Sequence, residues 1–175
     1  MKVILLNGFA GAGKTTIAKR YIDQHPLSVV IEGDELIVNI GNWVAQEDEA
    51  RQLVFELTKA MLRTCLESGH DVVLPYLVTD ADHAEEFKQI AEALNADFYE
   101  FILHTDREDT IARLLKRGTW GEAGQPPISD KDMPAIEELA DKMEAALKLR
   151  QEVIALDIKE SDPDATYSQL LNSLI

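Results

Sequence analysis

Apolar residues along this chain fall into two alternating rhythms. Short apolar runs cover residues 1–7, 27–31, 71–74, 98–103 and 153–158. Between them, apolar positions return every three or four residues. Ile17, Ala18, Tyr21 and Ile22 do so in 16–24, and Ala50, Leu53, Val54, Leu57, Met61, Leu62 and Cys65 in 47–68. The pattern continues with Ala84, Phe87, Ile90, Ala91 and Leu94, then Ile111, Leu114 and Leu115, then Ile136, Leu139, Ala140, Met143, Ala146 and Leu147, and last Tyr167, Leu170, Leu171 and Leu174 behind Pro163. Continuous runs predict buried strands, and the spaced stripes predict helices with one apolar face. His25-Pro26, Gly69 and Pro75-Tyr76 stand where elements should stop. Residues 41–47 carry no readable pattern. Residues 118–133 lose all periodicity and collect glycine, proline and Trp120, which predicts a mobile surface segment.

Alternation of strand and helix predicts an α/β fold in three layers, α/β/α, around a mainly parallel five-stranded sheet, with residues 118–133 as a lid. No repeat, low-complexity tract or linker divides the chain, so one domain over residues 1–175 is expected.

The first strand runs straight into Gly8-Phe9-Ala10-Gly11-Ala12-Gly13-Lys14-Thr15, and a helix follows from Thr16. Glycines at this spacing let the backbone turn with its amide N–H groups inward, where they meet phosphate oxygens at the positive end of a helix. Lys14 then reaches the β and γ phosphates, and the Thr15 hydroxyl ligates magnesium. Gly8, Ala10, Gly11, Ala12, Gly13, Lys14, Thr15 and Thr16 form the expected nucleotide-binding set. The alternative is a flexible Gly/Ala turn with a solvent-exposed lysine, and the flanking strand and helix argue against it.

Composition narrows the class. A chain of 175 residues, 46% hydrophobic, can bury a core without disulfides. The lone Cys65 lies in a helical stripe and reads as packing, which with no leader at Met1 and no long apolar stretch predicts a soluble, cytoplasmic protein. With 17 Lys plus Arg against 32 Asp plus Glu, the formal charge of −15 repels a polyphosphate backbone, so no nucleic acid is expected as a partner, and with no long apolar stretch no membrane is expected either. A monomer or homodimer is expected. His83 and His104 lack partners at metal-ligand spacing and read as structural.

The Gly8–Thr15 motif resembles that of the P-loop (Walker A) nucleoside triphosphate hydrolases and kinases, which implies a P-loop NTPase fold. No Asn-Lys-x-Asp guanine motif follows a strand, which argues for ATP. Motor and AAA-type ATPases usually carry an acid at the end of a neighbouring apolar strand and have larger domains, whereas the third strand here reads Val72-Val73-Leu74-Pro75-Tyr76. That argues against them. In length and element order the chain is similar to small P-loop kinases, including shikimate and gluconate kinases, chloramphenicol phosphotransferase and the zeta toxins. This resemblance implies an ATP- and Mg2+-dependent kinase, a transferase that moves the γ-phosphate to a hydroxyl of a small-molecule acceptor.

In that group an acid just after the second strand lies near the acceptor hydroxyl, and Asp34 holds the matching position. It would orient the nucleophile and take its proton, with Glu32 and Glu35 as substitutes. A water-mediated magnesium ligand or a solvated turn acid are the other readings of Asp34. Arg113 and Arg117, one turn apart before Gly118, fit the Arg-x-x-x-Arg pattern that closes over ATP, or else pair with Glu108 or Asp109 on an exposed face. Arg150 is similar in placement to a family arginine near the nucleotide. Lys14, Asp34 and Arg117 are thus the expected catalytic set, and Thr15 with Asp34 the metal set. The relatives' usual arginine shortly after the strand-two acid is replaced by Ile37-Val38-Asn39, and their strand-three ending by Pro75-Tyr76. Both departures speak against an acidic metabolite. A nucleotide-dependent switch, in which ATP orders residues 118–133 without transfer, is the competing class.

Overall fold

The computed structural model describes residues 1–104, 106–158 and 163–174. Five parallel strands form one sheet in the order β2-β3-β1-β4-β5, with β1 at Lys2–Asn7, β2 at Val29–Val30, β3 at Val72–Tyr76, β4 at Asp97–His104 and β5 at Val153–Asp157. Seven α-helices are described: α1 (Lys14–Gln24), α2 (Gly33–Ile37), α3 (Glu47–Glu67), α4 (Ala81–Ala93), α5 (Arg107–Arg117), α6 (Met133–Lys148) and α7 (Pro163–Ser173).

Val3, Ile4, Leu5 and Leu6 of β1 are completely buried, because both faces of the sheet are covered. Val3, Leu5, Val72 and Leu74 meet Phe55, Leu62 and Leu66 of α3 and Phe87 and Ile90 of α4 on one face. On the other, Ile4, Leu6, Val73, Phe101 and Leu103 meet Ala18 and Tyr21 of α1 and Tyr167 and Leu170 of α7. This is the expected three-layer α/β/α architecture. A third cluster joins Phe9, Leu114, Ile128, Ile136 and Ala140, tying the phosphate-loop candidate to α5, α6 and the segment between them.

Four local readings need correction. The first helix starts at Lys14 rather than residue 16, so the lysine and both threonines lie in its opening turn. β2 is only two residues long. Leu27, at φ 66, turns the chain beforehand, and Glu32 leads directly into the unexpected helix α2. The patternless 41–47 stretch holds a short 3-10 turn at Trp43–Gln46. Pro75, finally, does not break β3, which pairs Leu6 with Pro75 and Asn7 with Tyr76. The Val29 and Ile31 N–H groups donate to the Asp71 and Val73 carbonyls, so alternate residues 71, 73 and 75 point their backbone toward β2. The next N–H on that edge would belong to residue 75, where proline has none, so Pro75 ends the pairing with β2 while β1 stays paired on the other side.

His83 stacks on Phe55 with ring centroids 4.0 Å apart, a packing role, while the His104 side chain lies outside the described residues. Among the described residues, no helix is long and apolar enough to cross a membrane.

Candidate active site

β1 delivers the chain to the carboxyl edge of the sheet, and α1 begins there. Gly13 is the residue that makes the entry possible: it precedes the helix at φ 90 and ψ 11, a left-handed conformation that disfavours any side chain. Gly8 is required for a different reason, since a Cβ there would lie 3.2 Å from the Leu103 Cβ. Ala10 and Ala12 pack into neighbouring apolar clusters, and the Ala12 N–H donates to the Phe9 carbonyl at 3.1 Å, which tightens the loop. Thr16 is exposed in the first turn of α1.

Lys14 curls over this loop. Its Nζ donates to the Gly8 carbonyl at 2.7 Å and the Phe9 carbonyl at 3.0 Å. Burial pulls the Lys14 ammonium down to about 8, the Arg117 charge adds to the fall, and Asp34 and Glu32 oppose it. Four charged groups named from sequence therefore act on one another around the loop.

The next residue, Thr15, donates its hydroxyl to Glu32 Oε1 at 2.5 Å. Asp34 follows in the first turn of α2, and its carboxyl is raised, first by burial and next by Glu122, with Lys14 and Arg51 pulling the other way. Gly33 packs α2 against α3, where an added Cβ would stand 3.2 Å from Val54 Cγ1. Arg51 sits one turn before Val54. Its guanidinium reaches Glu47 at 2.7 Å and Glu122 Oε1 at 3.1 Å.

Glu122 belongs to the segment between α5 and α6, and only 7% of it is exposed. Packing of that segment continues at Gly124, whose absent Cβ would lie 3.8 Å from both Trp43 and Val44, and at Ile128, whose N–H donates to the Gly118 carbonyl at 2.9 Å. The segment read as a lid is thus seated on α3 and the 3-10 turn.

Neither Arg51 nor Glu122 was picked out from the sequence. Glu122 looks like one more acid in an acidic chain. Arg51 follows Glu47 by four residues and so reads as an ordinary helical ion pair, which hides its second partner.

Arg117, the last residue of α5, donates from Nε to the Thr119 carbonyl at 2.8 Å and from Nη2 to the Trp120 carbonyl. It holds the start of the lid while its charge reaches Lys14. Arg113 is half-buried one turn earlier on the same helix. Arg150 lies just beyond α6 rather than within a helix. Its guanidinium bonds Glu100 Oε2 at 2.5 Å and the Ala81 carbonyl at 2.8 Å, and Glu100 is only 4% exposed. Its charge is committed to β4 and α4 and not to the phosphate loop.

The donor chemistry suits magnesium. Thr15, Glu32 and Asp34 offer hard oxygen atoms, and among the described residues no cluster of three or more His, Cys, Asp or Glu could cage a metal. Magnesium seldom uses such a cage, since it keeps waters and shares substrate phosphates. The carboxylate touching the Thr15 hydroxyl is Glu32, however, and not Asp34.

A family model described as "AAA domain" matches residues 3–149. Its name reverses the argument from β3 that set AAA-type domains aside. That argument required an acid at the end of β3, whereas in this chain the acid beside Thr15 comes from the end of β2. No curated protein is significantly similar in sequence. Among solved structures, a candidate kinase from Chloroflexus aurantiacus superposes with a TM-score of 0.66 at 13% identity, over 99% of this chain and 95% of that one. The tunicamycin resistance protein of Deinococcus radiodurans gives 0.55 at 17% identity, over 98% and 92%. A chain of the Pnkp1/Rnl/Hen1 RNA repair complex gives 0.61 at 16% identity, over 86% of this chain and only 46% of that one, so the present chain spans less than half its length. At these identities the likeness is one of fold.

Proposed function

Because the chain belongs to the AAA domain family of P-loop proteins, we propose that it is an ATP-dependent phosphotransferase that moves the γ-phosphoryl group to a hydroxyl of a small-molecule acceptor. The observation that carries this is the arrangement of Lys14, the Thr15–Glu32 pair and Asp34 around the start of α1, with the Asp34 carboxyl raised toward the range of a useful base.

In this reading the loop amides and Lys14 hold the triphosphate. Magnesium, placed by the Thr15 hydroxyl with Glu32 behind it, would supply charge neutralisation on the β and γ oxygens. Asp34 accepts the acceptor's hydroxyl proton as that oxygen bonds the γ-phosphorus, and the bond from the γ-phosphorus to the bridging oxygen breaks to leave ADP. Arg117 offsets charge on the transferring oxygens and carries the beginning of the lid, so closure and charge compensation are coupled. Arg113 would assist from the preceding turn. Polynucleotide acceptors, suggested by the RNA repair relative, are opposed by the −15 charge.

The test is a screen of alcohols for acceptor-stimulated ADP release, with Asp34→Asn as the blank. Stimulation in the wild-type protein and none in the variant supports transfer. ATP binding that protects residues 118–133 from proteolysis, with no product on any acceptor, supports the switch instead.

A further inference from the structure

One feature of the corner beside Asp34 has no use in the transfer chemistry so far. Glu122 is 93% buried, yet only its Oε1 is bonded, to Arg51; its Oε2 is buried with no hydrogen-bond partner among the described residues. A carboxylate oxygen in that position is costly, because it has lost water and gained nothing in exchange. Charge adds to the imbalance. Among the described residues Arg51 is the cation that pairs with Glu122, and Glu47 shares it through both Nε and Nη2, while Asp34 is acted on by Lys14 ahead of Arg51. Lys14 is committed to the phosphate loop.

We infer that the acceptor carries an ammonium group as well as the hydroxyl that is phosphorylated, and that Glu122 receives this ammonium through its free oxygen while Asp34 holds the hydroxyl. The inference rests on the phosphotransferase reading of the same site. An ammonium supplies both things the corner lacks, a donor for the buried oxygen and a positive charge among the carboxylates. A neutral polyol would supply only the donor. An anionic acceptor would bring one more negative charge to a place where Glu122 already raises Asp34.

One further residue suits a cationic guest. Tyr76 lies within the influence of both Arg51 and Asp34, and burial pushes its phenol up to about 12, so it adds no negative charge beside them. Glu122 sits on the segment already seated against α3, so an ammonium at its unpaired oxygen would hold that segment in place by an ion pair, which links recognition to exclusion of water.

The experiment compares alcohols matched in size and different in charge: serinol, glycerol and glycerate, then glucosamine, glucose and gluconate, each with ATP at pH 7. The ammonium member of each set is expected to stimulate ADP release about tenfold more than its neutral counterpart, the scale of one charged hydrogen bond. Glu122→Gln is expected to raise KM for that ammonium alcohol by about tenfold, more than it raises KM for the neutral one. Neutral or anionic members that match the ammonium members, or an ammonium KM unmoved by Glu122→Gln, overturn the inference and leave phosphotransfer standing. If no alcohol raises ADP release above the Asp34→Asn blank, the inference and the phosphotransferase reading fall together.

Discussion

The Thr15 hydroxyl donates to Glu32 and not to Asp34, although both acids follow the same two-residue strand. In the proposed reaction Glu32 would thereby stand beside the hydroxyl that ligates magnesium, and Asp34 would be left for the acceptor. Glu32→Gln should raise the magnesium concentration needed for half-maximal activity by about tenfold or more, the usual effect of removing a group that orients a ligand. Asp34→Asn should instead lower transfer by about a thousandfold while ATP and magnesium affinities stay within severalfold. Magnesium titrations and single-turnover rates on the two variants read this difference. Identical profiles would show that the acids act together.

Lys14 provides a pH signature. Its ammonium titrates at about 8 in the free protein, and only the charged form attracts phosphate. ATP affinity should therefore be flat below that value and fall above it, until the pH passes the higher pKa that bound phosphate imposes on the same amine. Calorimetric titration of ATP from pH 6 to 10 checks this. Lys14→Arg, which stays charged, should remove the decline even if its affinity is lower.

Asp34 should cost stability where it is charged. Its folded pKa is raised above the ordinary 3.8, so the stability associated with it is fully present below that value and is lost as pH rises through the folded pKa. Asp34→Asn is therefore expected to raise Tm at pH 7, with the gain shrinking toward pH 3.8. Thermal melts of both proteins across that interval test the sign. Gain in stability alongside loss of transfer would mark a strained catalytic acid.

Arg150 is expected to act on folding rather than on nucleotide. Arg150→Ala would leave Glu100 buried without its cation and should cost about 3–5 kcal/mol, while ATP affinity is unchanged in whatever fraction is folded. Arg150→Met combined with Glu100→Gln should recover most of the loss. Urea denaturation and nucleotide titration together separate this from a direct contact with ATP.

How much of this was legible in the chain depends on the range of each interaction. Val3 to Leu6 announce a central strand because burial on both faces leaves only apolar residues, and the α3 stripe announces a helix because its period repeats over five turns. The loop from Gly8 to Thr15 was readable because phosphate recognition by backbone needs glycines at fixed spacing. α2 was not, since five residues cannot display a period. Pro75 continues β3 because its missing N–H faces the β2 edge and leaves the pairing with β1 intact, which is tertiary information. The Arg51–Glu122 pair spans 71 positions, and no local pattern records a contact of that separation. Resemblance makes Arg150 a cation near the nucleotide, whereas its buried partner Glu100 sits inside an apolar run that gives no local sign of the pair.

The lysine that leans on the Gly8 and Phe9 carbonyls has a consequence for anyone using its alanine variant as an inert control. Those two contacts brace the loop from within, so cutting the side chain away slackens the scaffold as well as erasing a charge. Loss of binding in such a variant would mix two causes, and solvent exchange at the amides of residues 8–14, measured without any ligand, would reveal how large the mechanical part is.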